Sequence, residues 1–225
     1  MNENVKMLEK NKTISLSKVK RYSYLFTKRL FDIFCSIIGL ILLIPVTWVV
    51  KICYMLTGDF KTVFYAQKRI GKNGKIIYLF KFRTMVPNAG EVLKELLKDP
   101  KYKKEWDKNQ KFHKDPRITK IGKLLRKSSL DELPQFVNVF KGEMSLIGPR
   151  PLVEGELDAH NGNHEIYESV TPGITGWWAC CGRSNTDYDE RLKLEYYYVK
   201  HQSLLLDIKC VFKTIGAVLF SKGAK

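Results

Sequence analysis

The stretch of sequence that decides the fold is Ile33-Phe-Cys-Ser-Ile-Ile-Gly-Leu-Ile-Leu-Leu-Ile-Pro-Val-Thr-Trp-Val-Val50. It carries no charge and approaches the length of about 20 apolar residues that marks a membrane helix. Basic residues stand on both sides of it, at Lys28, Arg29 and Lys51. The positive-inside bias therefore prefers neither orientation, which suits a segment whose two ends both stay in the cytosol. Pro45 removes one helix hydrogen bond inside the run and bends the helix axis.

Three interpretations of this run are open. It is a helix that enters the membrane, turns at Pro45 and leaves by the same face, a kinked helix that spans the membrane, or a buried core helix. The basic flanks and the proline favour the first. We therefore predict a basic N-terminal segment at residues 1–27, a re-entrant membrane helix at 28–56 and a cytosolic, membrane-associated domain at 57–225. Residues 19–26 mix basic and aromatic side chains, as contact with anionic headgroups requires.

The composition indicates an anionic partner and a reducing compartment. The 225-residue chain has 39 Lys and Arg against 23 Asp and Glu, a formal charge of +16. Such a charge suits nucleic acid, anionic lipid or phosphorylated substrates. The five cysteines lack the paired spacing of a metal site, and we interpret them as reduced packing residues of a cytosolic protein. The four histidines form no zinc pattern.

The second informative stretch is Leu124-Leu-Arg-Lys-Ser-Ser-Leu-Asp-Glu-Leu-Pro-Gln135, in which two carboxylates are adjacent. Asp131 and Glu132 stand between Arg126 upstream and Arg150 downstream. Adjacent acids repel, and they persist most easily where a cation or a reacting centre uses both. The arginines favour anionic ligands such as phosphates. The stretch therefore predicts a site that holds a phosphate against a carboxylate, with a metal ion between them.

The local structure of the acidic pair has two readings that the sequence leaves open. Ser129 and Glu132 fit a capping box at the start of a helix. In that case Pro134 falls where the helix needs an amide donor, which proline lacks. If the helix begins at Asp131 instead, Pro134 lies within the first turn at little cost, and the two acids sit where free amides and the helix dipole favour negative charge.

The rest of the chain predicts an α+β fold that is mostly helical. Residues 60–67 and 75–85 form two strands of a small β-hairpin around a turn at 71–74. Further helices are expected within 88–111, at 120–127 and in two segments from 189 onward, of which 204–220 is amphipathic and suits a membrane surface. In the second strand, Lys81 and Arg83 are either a solvated face or a second pair of phosphate-binding cations. Arg183 follows a glycine and is a further candidate for phosphate binding.

Six strings in this order resemble the bacterial sugar transferase family, and specifically the monotopic polyprenyl-phosphate phosphoglycosyl transferases. The resemblance covers roughly residues 28–223. The strings are Lys28-Arg-Leu-Phe-Asp32, Lys81-Phe-Arg-Thr-Met85, Ser129-Leu-Asp-Glu-Leu-Pro-Gln135, Lys141-Gly-Glu-Met-Ser-Leu-Ile-Gly-Pro-Arg-Pro151, Pro172-Gly-Ile-Thr-Gly176 and Gly182-Arg-Ser184.

The resemblance implies a re-entrant helix broken at Pro45 and a catalytic domain on the cytoplasmic face of the inner membrane. It implies transfer of a sugar-1-phosphate from a UDP-sugar to polyprenyl (undecaprenyl) phosphate, which releases UMP. The family's acidic pair maps onto Asp131 and Glu132, and its basic positions map onto Lys81, Arg126 and Arg150. Mg²⁺, held by Asp131 and by substrate phosphates, is the expected cofactor, because it neutralises the charge of a diphosphate. Nucleic acid is not expected as a partner, and a homo-oligomer is left open. The chain resembles the minimal catalytic form of the family.

Under this resemblance Asp131 attacks the β-phosphate and carries the sugar phosphate, while Glu132 helps the acceptor. Direct displacement, with Asp131 as a metal ligand only, would use the same residues. One departure stands at Ala179-Cys-Cys181, where relatives often carry a glutamine-containing string. Two other classes of protein remain as alternatives: a membrane-tethered nucleic-acid-binding protein and a non-catalytic scaffold.

Overall fold

The computed structural model describes residues 3–109, 112–181 and 186–219. Its elements confirm the α+β, mostly helical class. A long N-terminal helix is followed by a two-stranded antiparallel hairpin, and the remaining chain is a series of short helices with one further pair of short strands.

Helix α1 (Glu3–Leu56) contains the whole apolar run. Within the described residues, its segment Val19–Leu56 is long and apolar enough to cross a membrane, judged by length and composition. The predicted break at Pro45 does not divide this helix, which continues through the proline. A proline removes only one helix hydrogen bond, and next to it Thr47 Oγ1 donates to the Leu43 carbonyl at 2.7 Å. Re-entry into the membrane stays a prediction.

One side of α1 packs against the rest of the protein. Asp32, Ser36, Val50 and Tyr54 are all buried, and they recur at helical spacing along one stripe. The opposite side exposes large apolar side chains: Phe34, Ile38, Ile41, Leu42, Ile44, Trp48, Val49 and Ile52. A soluble protein rarely leaves so large an apolar surface uncovered.

The predicted hairpin is confirmed, with shifted boundaries. Strand β1 (Phe64–Ile70) pairs antiparallel with β2 (Ile76–Phe82), so that Tyr65 faces Lys81. The connection contains a 3₁₀ turn, Lys72–Gly74, in which Asn73 is left-handed with φ of 56°. Asparagine tolerates that conformation better than most residues.

Three helices follow the hairpin. The charged stretch predicted to be helical within 88–111 contains α2 (Ala89–Leu96) and α3 (Pro100–Asn109). Proline is well tolerated at the first position of a helix, which explains why a new helix begins at Pro100. Helix α4 (Lys120–Lys127) has the predicted bounds.

The second half of the domain is built around a parallel strand pair that the sequence did not predict. Strand β3 (Ser145–Ile147) lies beside β4 (Gly173–Thr175). A Cβ atom on Gly173 would lie 2.1 Å from the Gly148 nitrogen, so glycine is required for this close approach.

Helices α5 (Gln135–Lys141), α6 (His164–Tyr167), α7 (Trp177–Cys181), α8 (Tyr188–Lys200) and α9 (Leu204–Leu219) complete the fold. Helices α8 and α9 confirm the two predicted C-terminal helices. Helix α9 has two unlike faces, as its amphipathic sequence predicts. Leu206, Asp207 and Cys210 are buried, whereas Leu205 and Phe212 are exposed.

Candidate active site

The acidic pair lies in a short connection between two helices. Thr119 caps α4 by accepting a hydrogen bond from the Gly122 amide. After α4 the chain reverses at Ser129, which is left-handed with φ of 57° and makes no capping hydrogen bond through its side chain. The capping-box interpretation is therefore wrong, because an N-cap residue needs extended backbone angles.

The alternative reading, a helix beginning at Asp131, is close to the structure. A 3₁₀ turn, Leu130–Glu132, holds both acids, and Leu133 and Pro134 continue in right-handed helical conformation into α5. Pro134 stands immediately before the first residue of α5, where a missing amide donor costs nothing. The α-helix itself begins four residues later than predicted, at Gln135.

Two predicted cations surround the acidic pair. Lys81 reaches across from β2, and its Nζ lies 3.1 Å from Glu132 Oε1. Burial raises the pKa of Asp131, and the neighbouring Glu132 raises it further, whereas Lys81 and Arg126 act in the opposite direction. The structure thus brings together four of the predicted site residues from two distant parts of the sequence.

This electrostatic arrangement suits a carboxylate that meets a phosphate. Asp131 is partly desolvated beside a like charge, so its ionised form becomes more stable when further positive charge arrives. A carboxylate in such a position is less solvated and so more available for attack on an electrophile. The side chain of Arg126 is held by its Nε, which donates to Thr84 Oγ1 at 3.0 Å.

Arg83 occupies a different environment. It is only 7% exposed, and it forms an ion pair with Asp59 at 2.8 Å. Its Nε and one Nη donate to the carbonyl oxygens of Thr62 and Met85, and its guanidinium stacks over the ring of Tyr54 at 4.6 Å. The structure therefore places Arg83 in the framework that joins β2 to α1. Its predicted contact with phosphate stays a prediction.

The backbone of Arg150 is fixed by hydrogen bonds, whereas the residue itself is exposed. The Arg150 amide donates to Glu195 Oε1 at 3.0 Å, and its carbonyl accepts from the Tyr167 hydroxyl at 2.9 Å. Its charge lowers the pKa of Arg69, after the larger effect of burial. Arg150 therefore belongs to a second charged cluster, centred on α8.

Sequence reasoning missed this second cluster. The Arg191 guanidinium lies over the ring of Trp178 at 4.8 Å and over that of Tyr188 at 4.9 Å, and its Nη1 lies 3.1 Å from Glu156 Oε1. Burial raises the pKa of Glu195 to about 7, against the opposing effects of the Arg150 amide and the Arg191 charge. One signal was present. Arg191 and Glu195 have the i,i+4 spacing of a helical ion pair, on a helix rich in leucine and tyrosine.

The remaining predicted site residues are Arg183 and the metal ligand Asp131. Arg183 lies outside the described residues. Among the residues that are described, no group of three or more His, Cys, Asp or Glu side chains could hold a metal ion. Mg²⁺ commonly binds through one or two carboxylates together with substrate phosphates, so Asp131 and Glu132 fit as its protein ligands when a phosphate is bound.

Comparison with known proteins identifies the family. The family model described as "Bacterial sugar transferase" matches residues 23–221. The chain belongs to the bacterial sugar transferase family. The match includes α1 from residue 23 onward, the hairpin, the acidic pair and the charged cluster on α8.

Curated relatives carry names that describe transfer to a lipid. The chain is 46% identical over 200 residues to the undecaprenyl-phosphate galactose phosphotransferase of Salmonella typhimurium, covering 88% of this chain and 42% of that protein. It is 43% identical over 209 residues to the UDP-galactose-lipid carrier transferase of Erwinia amylovora, covering 92% of this chain and 43% of that protein. The chain thus spans less than half the length of both.

A third relative is similar in length. The exopolysaccharide production protein ExoY of Sinorhizobium fredii is 43% identical over 199 residues, which cover 88% of each chain.

Proposed function

We propose that this bacterial sugar transferase moves a sugar-1-phosphate from a UDP-sugar to polyprenyl phosphate, giving a polyprenyl diphosphate sugar and UMP. One observation carries the proposal: Asp131 lies in a partly buried acidic pair whose charge is opposed by Lys81 and Arg126. That arrangement suits a diphosphate, whose anionic oxygens otherwise repel a carboxylate. The names of the relatives from Salmonella and Erwinia support the same donor and acceptor chemistry.

In the proposed first step, an Asp131 carboxylate oxygen forms a bond to the β-phosphorus of the UDP-sugar. The bond between that phosphorus and the bridging oxygen breaks, and UMP leaves with the electron pair. Lys81 and Arg126 stabilise the charge that builds on the phosphate oxygens. Bound Mg²⁺ would neutralise phosphate charge and improve the leaving group.

In the second step, the phosphate oxygen of the polyprenyl acceptor attacks the same phosphorus and releases Asp131. Glu132 lies next to Asp131 and is tethered by Lys81. It is therefore placed to orient the acceptor or to accept its proton. In the alternative of direct displacement, the acceptor attacks the UDP-sugar itself and no bond to Asp131 forms.

We also propose that α1 is re-entrant and that the domain lies on the cytoplasmic side of the membrane. The support is that residues at both ends of the apolar run contact the same folded domain. At the first end, Arg29 donates to the carbonyl oxygens of Val139 and Phe140 at 2.7 and 2.8 Å. At the second end, Lys51 donates to two carbonyls before β1, and Tyr54 donates to the Arg83 carbonyl.

The contacts of one domain with both ends of the run support an arrangement in which both ends lie on the same side of the bilayer. The exposed apolar sides of α1 and α9 are then the surfaces that lipid covers. This placement brings the acceptor lipid to the domain that carries the acidic pair.

The test is UMP release by the detergent-solubilised chain with undecaprenyl phosphate, Mg²⁺ and a set of UDP-sugars that includes UDP-galactose. Asp131→Asn should lower turnover by at least about a thousandfold, because it removes the attacking oxygen's charge. Asp189→Asn is the matched control, since Asp189 is exposed at the start of α8 and should leave turnover unchanged.

A single-turnover experiment without acceptor separates the two mechanisms. The covalent route predicts one equivalent of UMP and a sugar phosphate bound to the Asp131-containing peptide. UMP release only when acceptor is present would establish direct displacement. Full turnover by Asp131→Asn would contradict both.

A further inference from the structure

Two cysteines from separate helices meet beneath the charged cluster on α8. The Cys180 Sγ, near the end of α7, lies 3.4 Å from the carbonyl oxygen of Cys210 on α9 and 2.9 Å from that of Gly176. The two side chains pack together in one hydrophobic cluster. Cys210 is completely buried, whereas Cys180 is partly accessible. A small solute can therefore reach Cys180 from solvent, whereas Cys210 is shielded from it.

The surroundings of Cys180 favour its thiolate. The neighbouring Cys210 thiol lowers the pKa of Cys180 most, and the Thr214 hydroxyl and the Lys213 charge lower it further, so that it falls to about 6 although burial acts in the opposite direction. The pKa of Cys210 is raised, first through its hydrogen bond with Cys180 and then by burial. An accessible thiolate beside a protonated partner thiol is the arrangement of an oxidisable dithiol, since the thiolate reacts and the second thiol resolves.

We propose that Cys180 and Cys210 form a disulfide when the protein meets hydrogen peroxide. The Cys180 thiolate attacks one peroxide oxygen, the O–O bond breaks, and the products are a sulfenic acid and hydroxide, which takes up a proton to become water. The Cys210 sulfur then attacks the Cys180 sulfur, the S–O bond breaks, and the second oxygen leaves as water with the proton of Cys210. Two thiols are oxidised and one peroxide is reduced, so atoms and electrons balance.

The disulfide would link α7 to α9 directly before residue 182. That is where the chain leads into the segment containing Arg183, the predicted phosphate ligand. Cys181, the adjacent residue, is exposed, and its Sγ lies 3.4 Å from Lys213 Nζ. It is therefore the competitor that an experiment has to separate from Cys180.

The test uses the full chain in detergent with Cys181→Ser, so that α7 keeps a single cysteine. The protein is treated with graded hydrogen peroxide, alkylated, digested and analysed by mass spectrometry. We expect a cross-linked peptide that joins Cys180 to Cys210, loss of alkylation at both and full recovery after dithiothreitol. Cys35 and Cys53, on α1, are internal controls, and peroxide treatment should not reduce their alkylation.

A second variant, Cys210→Ala, keeps the proposal testable if Cys181→Ser disturbs folding. In Cys210→Ala, the sulfenic acid of Cys180 has no resolving thiol and should be trapped by dimedone. Helix content by circular dichroism shows whether this variant is folded. Alkylation of both Cys180 and Cys210 after peroxide treatment of the folded chain would overturn the proposal, as would a cross-link from Cys180 to any other cysteine. Because the readout is chemical, it is independent of the proposed transfer activity.

Discussion

Glu195→Gln tests whether the buried carboxyl beneath Arg150 is neutral in the folded protein. Glu195 is 1% exposed. Its Oε1 accepts the Arg150 amide, and within the described residues its Oε2 is buried without a hydrogen-bond partner. Burial raises its pKa from 4.5 to about 7, with Arg191 acting in the opposite direction and Cys180 in the same direction.

The raised pKa of Glu195 predicts the direction in which stability changes with pH. The folded state binds the Glu195 proton more tightly than the unfolded chain does. The resulting stabilisation is complete below the unfolded pKa of 4.5 and is lost as the pH rises through about 7. Its size is about 3 kcal/mol, because each pKa unit corresponds to about 1.4 kcal/mol.

The measurement is the free energy of unfolding by denaturant in a mild detergent, from about pH 4 to about pH 8. Glutamine keeps an acceptor for the Arg150 amide but does not ionise. Relative to the wild type, Glu195→Gln should therefore gain about 2–3 kcal/mol across this range. Glu190→Gln, at an exposed position on the same helix, is the control and should show no such trend. A constant difference between wild type and Glu195→Gln at every pH would refute the reasoning.

Two further substitutions test the contacts that hold the site together. Gly122→Ala should destabilise the fold by about 3 kcal/mol and lower transfer activity, because its Cβ would lie 1.9 Å from the Thr84 carbonyl oxygen. Thermal unfolding and UMP release measure the two effects. Gly90→Ala is the control and should be neutral in both assays, because a Cβ atom there would have nothing within 4 Å. Asp32→Ala should cost about 1–3 kcal/mol in denaturant unfolding, because it removes the oxygen that accepts from the Ser145 hydroxyl and the Leu146 amide. Equal stability of mutant and wild type would show that this link is dispensable.

Short-range patterns in the sequence were sufficient to predict the main secondary-structure elements. The uncharged run around Pro45 predicted the long apolar helix, and alternating residues around a glycine-containing turn predicted the hairpin. Helix α4 had the predicted bounds because Thr119 is a strong N-cap and the periodicity that follows is unbroken. These features depend on neighbours within a few residues, which a single sequence displays directly.

Roles that depend on distant partners were harder to predict. Lys81 and Arg83 stand two residues apart, yet Lys81 meets Glu132 whereas Arg83 is enclosed by Asp59 and Tyr54. Their spacing suggested one shared role. The partners that separate them come from other elements and are brought in only by folding.

The sequence by itself determined that this protein has a long apolar helix with basic flanks, a hairpin, an amphipathic C-terminal helix and an acidic pair among cations. Each of these follows from local periodicity and residue chemistry. Only the tertiary structure decided that Glu195 lies beneath Arg150, that Cys180 meets Cys210 and that both ends of the apolar run contact one domain. The physical reason is that burial, and with it the pKa and the reactivity of a side chain, is a property of packed neighbours that are far apart in the chain.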